Sequence, residues 1–195
     1  MSTKMTIPPC HTARNAATAA VGLGLLGSLL LGSSAAARAA APAGGAVSVF
    51  VTPSLTGAGG TIVLTGAIGD YGTTLTIDKN GKTDANGNYV RLTLKKGTFE
   101  VNSSTLNAAA NAAQPKVNTT TCSGDLTVSD PVTVFNGTGL YAGISGTVKI
   151  TEMFAFIGPK YASGAKMGQC NMGMNAQPIA QWASITGSGA VRFSS

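Results

Sequence analysis

Phe135–Pro159 reads FNGTGLYAGISGTVKITEMFAFIGP, and two patterns in it decide the fold. The first half places glycines at 137, 139, 143 and 146. A sheet that bends sharply or closes on itself puts residues without a Cβ at such points. The second half alternates, with Val148, Ile150, Glu152, Phe154 and Phe156 on one face and Lys149, Thr151 and Met153 on the other. That period of two belongs to a β-strand.

Outward from this stretch the same alternation recurs. Val47, Val49 and Val51 share a face in AVSVFVT, Ile62 and Leu64 in TIVLT, and Leu75 and Ile77 in TTLTID. Val90, Leu92 and Leu94 line one face of YVRLTLK, and Phe99 with Val101 continue the inward set after Gly97. Leu126 with Val128, then Val132 with Val134, read as two short pieces divided by Asp130-Pro131, and QWASITGSGAVRF ends the series. No stretch past Gly45 repeats at helical spacing. About eight to ten strands at this spacing predict an all-β protein, a single antiparallel barrel or a sandwich.

The turns agree with a meander. Asn80-Gly81 and Asn86-Gly87 accept the positive φ of tight hairpin turns. The oxygen-rich DKNGKTDANGN also admits a calcium reading. Counted from Asp84, however, the position where an EF-hand loop needs a bidentate acid is Lys95, so a solvated hairpin end is preferred and no metal or cofactor is expected. SSTLNAAANAAQP, Ser103 to Pro115, is low in complexity: a loop, or a short helix ending before Pro115, and the candidate lid or mobile connection.

Composition sets the class. The 195 residues are 44% apolar and 10% charged, with 26 glycines and a formal charge of +6. So few charges exclude a coiled coil, a strongly basic nucleic-acid module and an acidic disordered tail. Much of the charge is N-terminal. Lys4 and Arg14 precede an uncharged stretch, Ala16 to Gly32, centred on VGLGLLGSLLLG, and SSAAARAAAPA follows. This is the order of a secretory signal peptide spanning 1–39, cleaved before Ala40 or at a site up to Gly44, with an uncleaved anchor as the alternative. Without it, residues 40–195 form one domain of net charge about +3. The only histidine, His11, leaves with the signal, so the domain cannot run Ser-His-Asp or Cys-His catalysis or ligate zinc through imidazole. No catalytic residue is assigned. Export makes a disulfide the expected state of Cys122 and Cys170, free thiols being the alternative. Closing so long a loop would contribute roughly 4 kcal/mol on the chain-entropy model.

Gly137-Thr138-Gly139-Leu140-Tyr141-Ala142-Gly143-Ile144-Ser145-Gly146-Thr147 resembles the G-T-G-x-Y-A-G-x-x-G-T signature of exported bacterial proteins, uncharacterised actinobacterial ones among them. Their barrel is similar to those of allene oxide cyclases and dirigent proteins. The LTLKKGTFEV strand adds to the resemblance. It implies a calycin-like, eight-stranded antiparallel barrel with a central cavity, and it carries over no activity.

In such a barrel Glu152 stands out, because an unbroken strand would aim its carboxylate into an apolar interior. Three accounts are open: a bulge near Thr151 turns it outward, Arg192 or Lys149 neutralises it, or it is a functional acid in a ligand cavity. Tyr141, Phe154, Phe156 and Trp182 join it as candidate ligand-lining residues, with plain core as their alternative. The functional expectation is a secreted or cell-envelope barrel holding a small apolar or amphipathic ligand. A cyclase or isomerase using the cavity is the second reading, and an oligomeric envelope pore the third. The basic residues are scattered and not interleaved with aromatics, so no nucleic-acid partner is expected. The membrane enters only through export.

Overall fold

The computed structural model describes residues 43–194 except Thr56, Met172, Met174 and Asn175. The expected signal peptide lies outside the described residues. Within them the chain forms nine strands and one α-helix: β1 Gly45–Pro53, β2 Gly59–Gly66, β3 Asp70–Ile77, β4 Tyr89–Leu94, β5 Gly97–Asn102, α1 Ser104–Ala112, β6 Lys116–Asn118, β7 Ser123–Phe135, β8 Ile144–Ile157 and β9 Ala180–Phe193. Eight of the strands close into an antiparallel barrel in the order β5-β4-β3-β2-β1-β9-β8-β7, with β5 and β7 meeting at the seam, and β6 adds a short ninth strand beside β7. The expected barrel is therefore the observed fold.

Alternation puts the aliphatic residues inside. Val47, Val49, Ile62, Leu64, Leu92, Phe99, Val132, Val134, Val148 and Val191 are buried in one core. The outer face is hydroxylated, since Thr52, Thr61, Thr73, Thr93 and Thr98 are successive register partners across β1 to β5. These β-branched residues suit a pleated surface without adding charge.

Two details depart from the sequence reading. In β3, Thr74 and Thr76 face the lumen, while Leu75 stands opposite Arg91 on the outer side. Ile77 is nevertheless fully buried, because the long turn after it folds back and its carbonyl lies against Gly87. The second departure is at Asp130-Pro131, which does not divide two strands. β7 runs unbroken through it and stays in register with β8 from Ser123 to Val134. Proline is tolerated there because β5 pairs β7 only from Thr133 onward, so the missing N–H costs no ladder bond on that edge.

The seam is short, three residue pairs from Glu100↔Phe135 to Asn102↔Thr133, and side chains reinforce it. Glu100 accepts hydrogen bonds from Arg91 Nε and Nη2 at 3.1 and 2.9 Å and from Asn136 Nδ2 at 2.9 Å. Burial alone would push the Glu100 carboxyl up, but these partners outweigh it and hold it below the usual range. At that end of the barrel the glycine-rich segment makes a single 3-10 turn, Gly139–Tyr141. The turn docks on β5 and the residue before it through Thr138 N–H to Thr98 O at 2.8 Å and Leu140 N–H to Lys96 O at 3.0 Å. It drives Tyr141 into the core, fully buried and edge-on to Phe99 with ring centroids 5.5 Å apart. The tyrosine hydroxyl donates to Asp70 Oδ2 at 2.5 Å. Asp70 also accepts the Tyr71 and Lys96 amides at 2.8 and 3.0 Å.

Cys122 and Cys170 are bonded, with Cα atoms 5.3 Å apart, as expected from the sequence. Cys122 opens the path into β7 and is completely buried, so the bond anchors residues 158–171 between β8 and β9. That segment has some structure of its own: Tyr161 N–H bonds Gln169 O and Gly168 N–H bonds Tyr161 O, both at 2.9 Å.

Tyr141→Phe will destabilise the protein by about 1 to 3 kcal/mol, because a buried acceptor loses its strongest donor; urea unfolding measures it. Burial pushes the Asp70 carboxyl up, but its hydrogen bonds, Tyr141 foremost, outweigh that and hold it below the usual range. Burial and the same carboxylate push the tyrosine well above its usual range. The pair thus stabilises most between about pH 4 and pH 10, its contribution falling in acid as Asp70 protonates and in alkali as the unfolded tyrosine ionises. The variant will lose its share of the alkaline decline.

Replacing both cysteines by alanine will cost about 2 to 4 kcal/mol. It will open Lys160 and Lys166 to trypsin in native buffer before the barrel unfolds. Equal cleavage rates in wild type and variant would refute the anchoring role.

Candidate functional site

The barrel is not filled. A cavity of about 410 Å³ runs down the lumen from the end near α1 to Ile68 and Phe99, the latter packed on the Tyr141 plug, within the range of roughly 300 to 1,000 Å³ of small-molecule sites. The inward positions of β9 between Ile185 and Val191 are Gly187 and Gly189, register partners of Ile150 and Val148. A Cβ at Gly189 would come within 2.3 Å of Thr147 O, and one at Gly187 within 2.5 Å of Ile150 Cδ1. β9 therefore presses against β8 and contributes no side chain to the lumen there. The walls are aliphatic, with Val47, Ile62, Leu64, Leu92, Val134 and Val148 among them, and the rim is amide and hydroxyl, with Ser54, Asn86, Asn88, Asn107 and Asn111.

Helix α1 lies over part of this rim. Its composition is rich in alanine, a strong helix former, and it ends at Ala112, before Pro115, so the low-complexity stretch is the short helix. Leu106 plugs into the core. Asn107 Nδ2 donates to Gly87 O and Asn88 Oδ1, both at 3.1 Å, and Thr105 Oγ1 donates to Pro131 O at 3.0 Å. The hairpin end that could have held calcium is thus partly a support for the helix. Its acids are used locally: Asp78 Oδ1 accepts the Asn80 and Lys82 amides, and Asp84 Oδ1 the Asn86 amide. Among the described residues no group of three acidic, histidine or cysteine side chains could hold a metal ion.

Glu152 lines the cavity. β8 keeps continuous register with both neighbours, so Glu152 stands between Val128 and Ile185 with no bulge to turn it out. Lys149 and Arg192 occupy positions of the opposite parity and are exposed, so neither reaches it. Of the three accounts, the acid inside a cavity matches this geometry. No hydrogen-bond or ion-pair partner meets the carboxylate among the described residues, and burial pushes its pKa up.

The other candidates lie elsewhere. Tyr141 is in the plug at the closed end. Phe154 and Phe156 share the inward parity of Glu152, but β7, β8 and β9 run on past the barrel and carry them into the extension, stacked with centroids 5.8 Å apart. Phe156 and Trp182 border a shallow groove with Val117 and Gly124, and Trp182 is 54% exposed. None of these four aromatics lines the cavity. Residues that the sequence reading passed over do shape it: Thr74 and Thr76 by inward parity, and the Asn86–Asn88 turn by proximity to the helix. Asp70, which fixes the closed end, carried only one signal, a lone acid after Gly69 at a strand start. No family model, curated protein or solved structure matches this chain.

Glu152→Gln will raise the thermal midpoint at pH 7, since it removes a carboxylate whose ionisation burial opposes. A raised folded-state pKa means that the glutamate destabilises most above that pKa. The gain will therefore shrink as pH falls and disappear below about pH 4, where the acid is protonated folded or unfolded. A midpoint unchanged at pH 7 would contradict the placement of Glu152.

Proposed function

We propose that this protein is an exported barrel that holds one small amphipathic molecule in its lumen. The observation that carries the reading is the 410 Å³ cavity, apolar along its walls and polar at its rim. Export is supported by the signal-like N-terminus and by the Cys122–Cys170 bond, which suits an oxidising compartment. No helix among the described residues is long and apolar enough to cross a membrane. The likeness of residues 137–147 to the barrel signature of exported actinobacterial proteins with allene oxide cyclase-like or dirigent-like folds supports the same reading.

A cyclase or isomerase rests on one observation, a carboxylic acid of raised pKa inside the cavity, a common setting for a general acid or base. An envelope pore finds less support, because the Tyr141 plug occupies one end of the lumen and the outer face of β1 to β5 bears a row of threonines.

The neutral dye N-phenyl-1-naphthylamine will bind saturably at one site per chain, with fluorescence enhancement as the readout. Val90→Trp, which projects bulk into the cavity, will abolish the site while the far-ultraviolet circular dichroism stays that of a β protein. Dye binding that is non-saturable or survives Val90→Trp would sink the proposal. Turnover of a bound molecule that stops in Glu152→Gln would move the reading to the enzyme.

A further inference from the structure

The cavity wall is electrically lopsided. Glu152 is the only ionisable side chain among the described residues that line it, and the rim offers only neutral amides and hydroxyls. Acids withdrawn from water are ordinarily matched by arginine or lysine, and here, where Glu152 is half-buried, Lys149 and Arg192 are turned to solvent. The protein therefore holds a carboxylate in an apolar wall and supplies no cation to it.

The position along β8 adds direction. From the plug outward, its inward residues in the cavity are Val148, Ile150 and Glu152, and the aliphatic walls are densest below the acid. A ligand entering from the open end would place an apolar body against Val47, Ile62, Leu64 and Leu92 and leave its head at Glu152. An anionic head there would meet a like charge in a medium of low dielectric, the costly arrangement. A neutral hydroxyl would gain a single hydrogen bond. A protonated amine would gain a charge-assisted bond and would restore the carboxylate to its ionised form.

Resting on the reading of the barrel as a small-molecule site, we infer that the ligand is a cationic amphiphile, an aliphatic or alicyclic body bearing an amine that pairs with Glu152. The charge preference is built into the wall and does not depend on α1 or on the rim.

Three probes with the same tail, decylamine, decanol and decanoate, test this by displacement of the dye at pH 7 on the full folded chain. Decylamine will displace at a concentration about tenfold or more below decanol, the scale of one charge-assisted bond, and decanoate will be the weakest. Glu152→Gln, close to isosteric and fold-neutral by circular dichroism, will bring decylamine to the level of decanol and leave decanol within about twofold. Val90→Trp will block all three. Decylamine binding no tighter than decanol, or an amine preference intact in Glu152→Gln, overturns the inference while saturable decanol binding leaves the cavity reading standing. Decylamine binding that survives Val90→Trp places it on the surface and overturns the inference as well. No saturable binding by any probe removes both the inference and the reading it rests on.

Discussion

A sheet wrapped around a hollow is stable only if its last strand finds its first, because an open edge leaves a row of backbone donors and acceptors unmet. Here that requirement falls on three residue pairs between β5 and β7, the shortest pairing in the barrel. The surroundings are arranged to hold it. Glu100 draws Arg91 from β4 and Asn136 from the end of β7 onto the seam, Tyr89 meets Phe135 edge-on across it, and the plug turn binds the adjacent start of β5. Asp70 and Tyr141 then tie that turn to β3 from within. At the closed end hydrogen bonds therefore join the plug turn to β3, to β5 and to Lys96 before it.

Curvature and emptiness share a cause. Tight coiling requires β8 and β9 to approach closely, and glycine at 146, 187 and 189 is what permits it. At Gly146 a φ of +151° also lies outside the range that other residues adopt readily. Residues chosen for bending contribute no volume, so the inside of a barrel this size, which side chains can otherwise fill, retains a cavity. Glu152 sits where that glycine-lined wall ends and Ile185 resumes.

Most of the architecture was legible in alternation, because a strand buried on one face must show it. The all-β class and the bond between Cys122 and Cys170 follow from alternation and cysteine arithmetic, whereas closure into a barrel rather than a sandwich was what the resemblance of residues 137–147 implied, and for Glu152 parity left three accounts open. Parity fails in β3, where the hairpin turn covers the outer Ile77 and lets threonines face the lumen. It is also silent about height. Phe154 and Phe156 alternate faultlessly with Glu152, yet whether they lie inside or beyond the barrel depends on where β1 stops pairing with β9, at Ile185, and nothing local to β8 encodes that. Pro131 misled in the other direction: its effect depends on which edge of β7 is already occupied. Asp70 and Tyr141 are 71 positions apart, and no spacing rule joins them.

The pairing of β1 with β9 sets the order of events in the life of the chain. Residues 45–51 acquire one of their two neighbours only when residues 185–191 are present, so β9 must have been made before the cylinder forms. Contacts of such long range are slow to establish, since the loop entropy is spent before they reward it. Until residues 185–191 have been made, one edge of β1 stays unpaired and the cylinder stays open, so a truncated chain would expose the strand edge that the finished barrel hides.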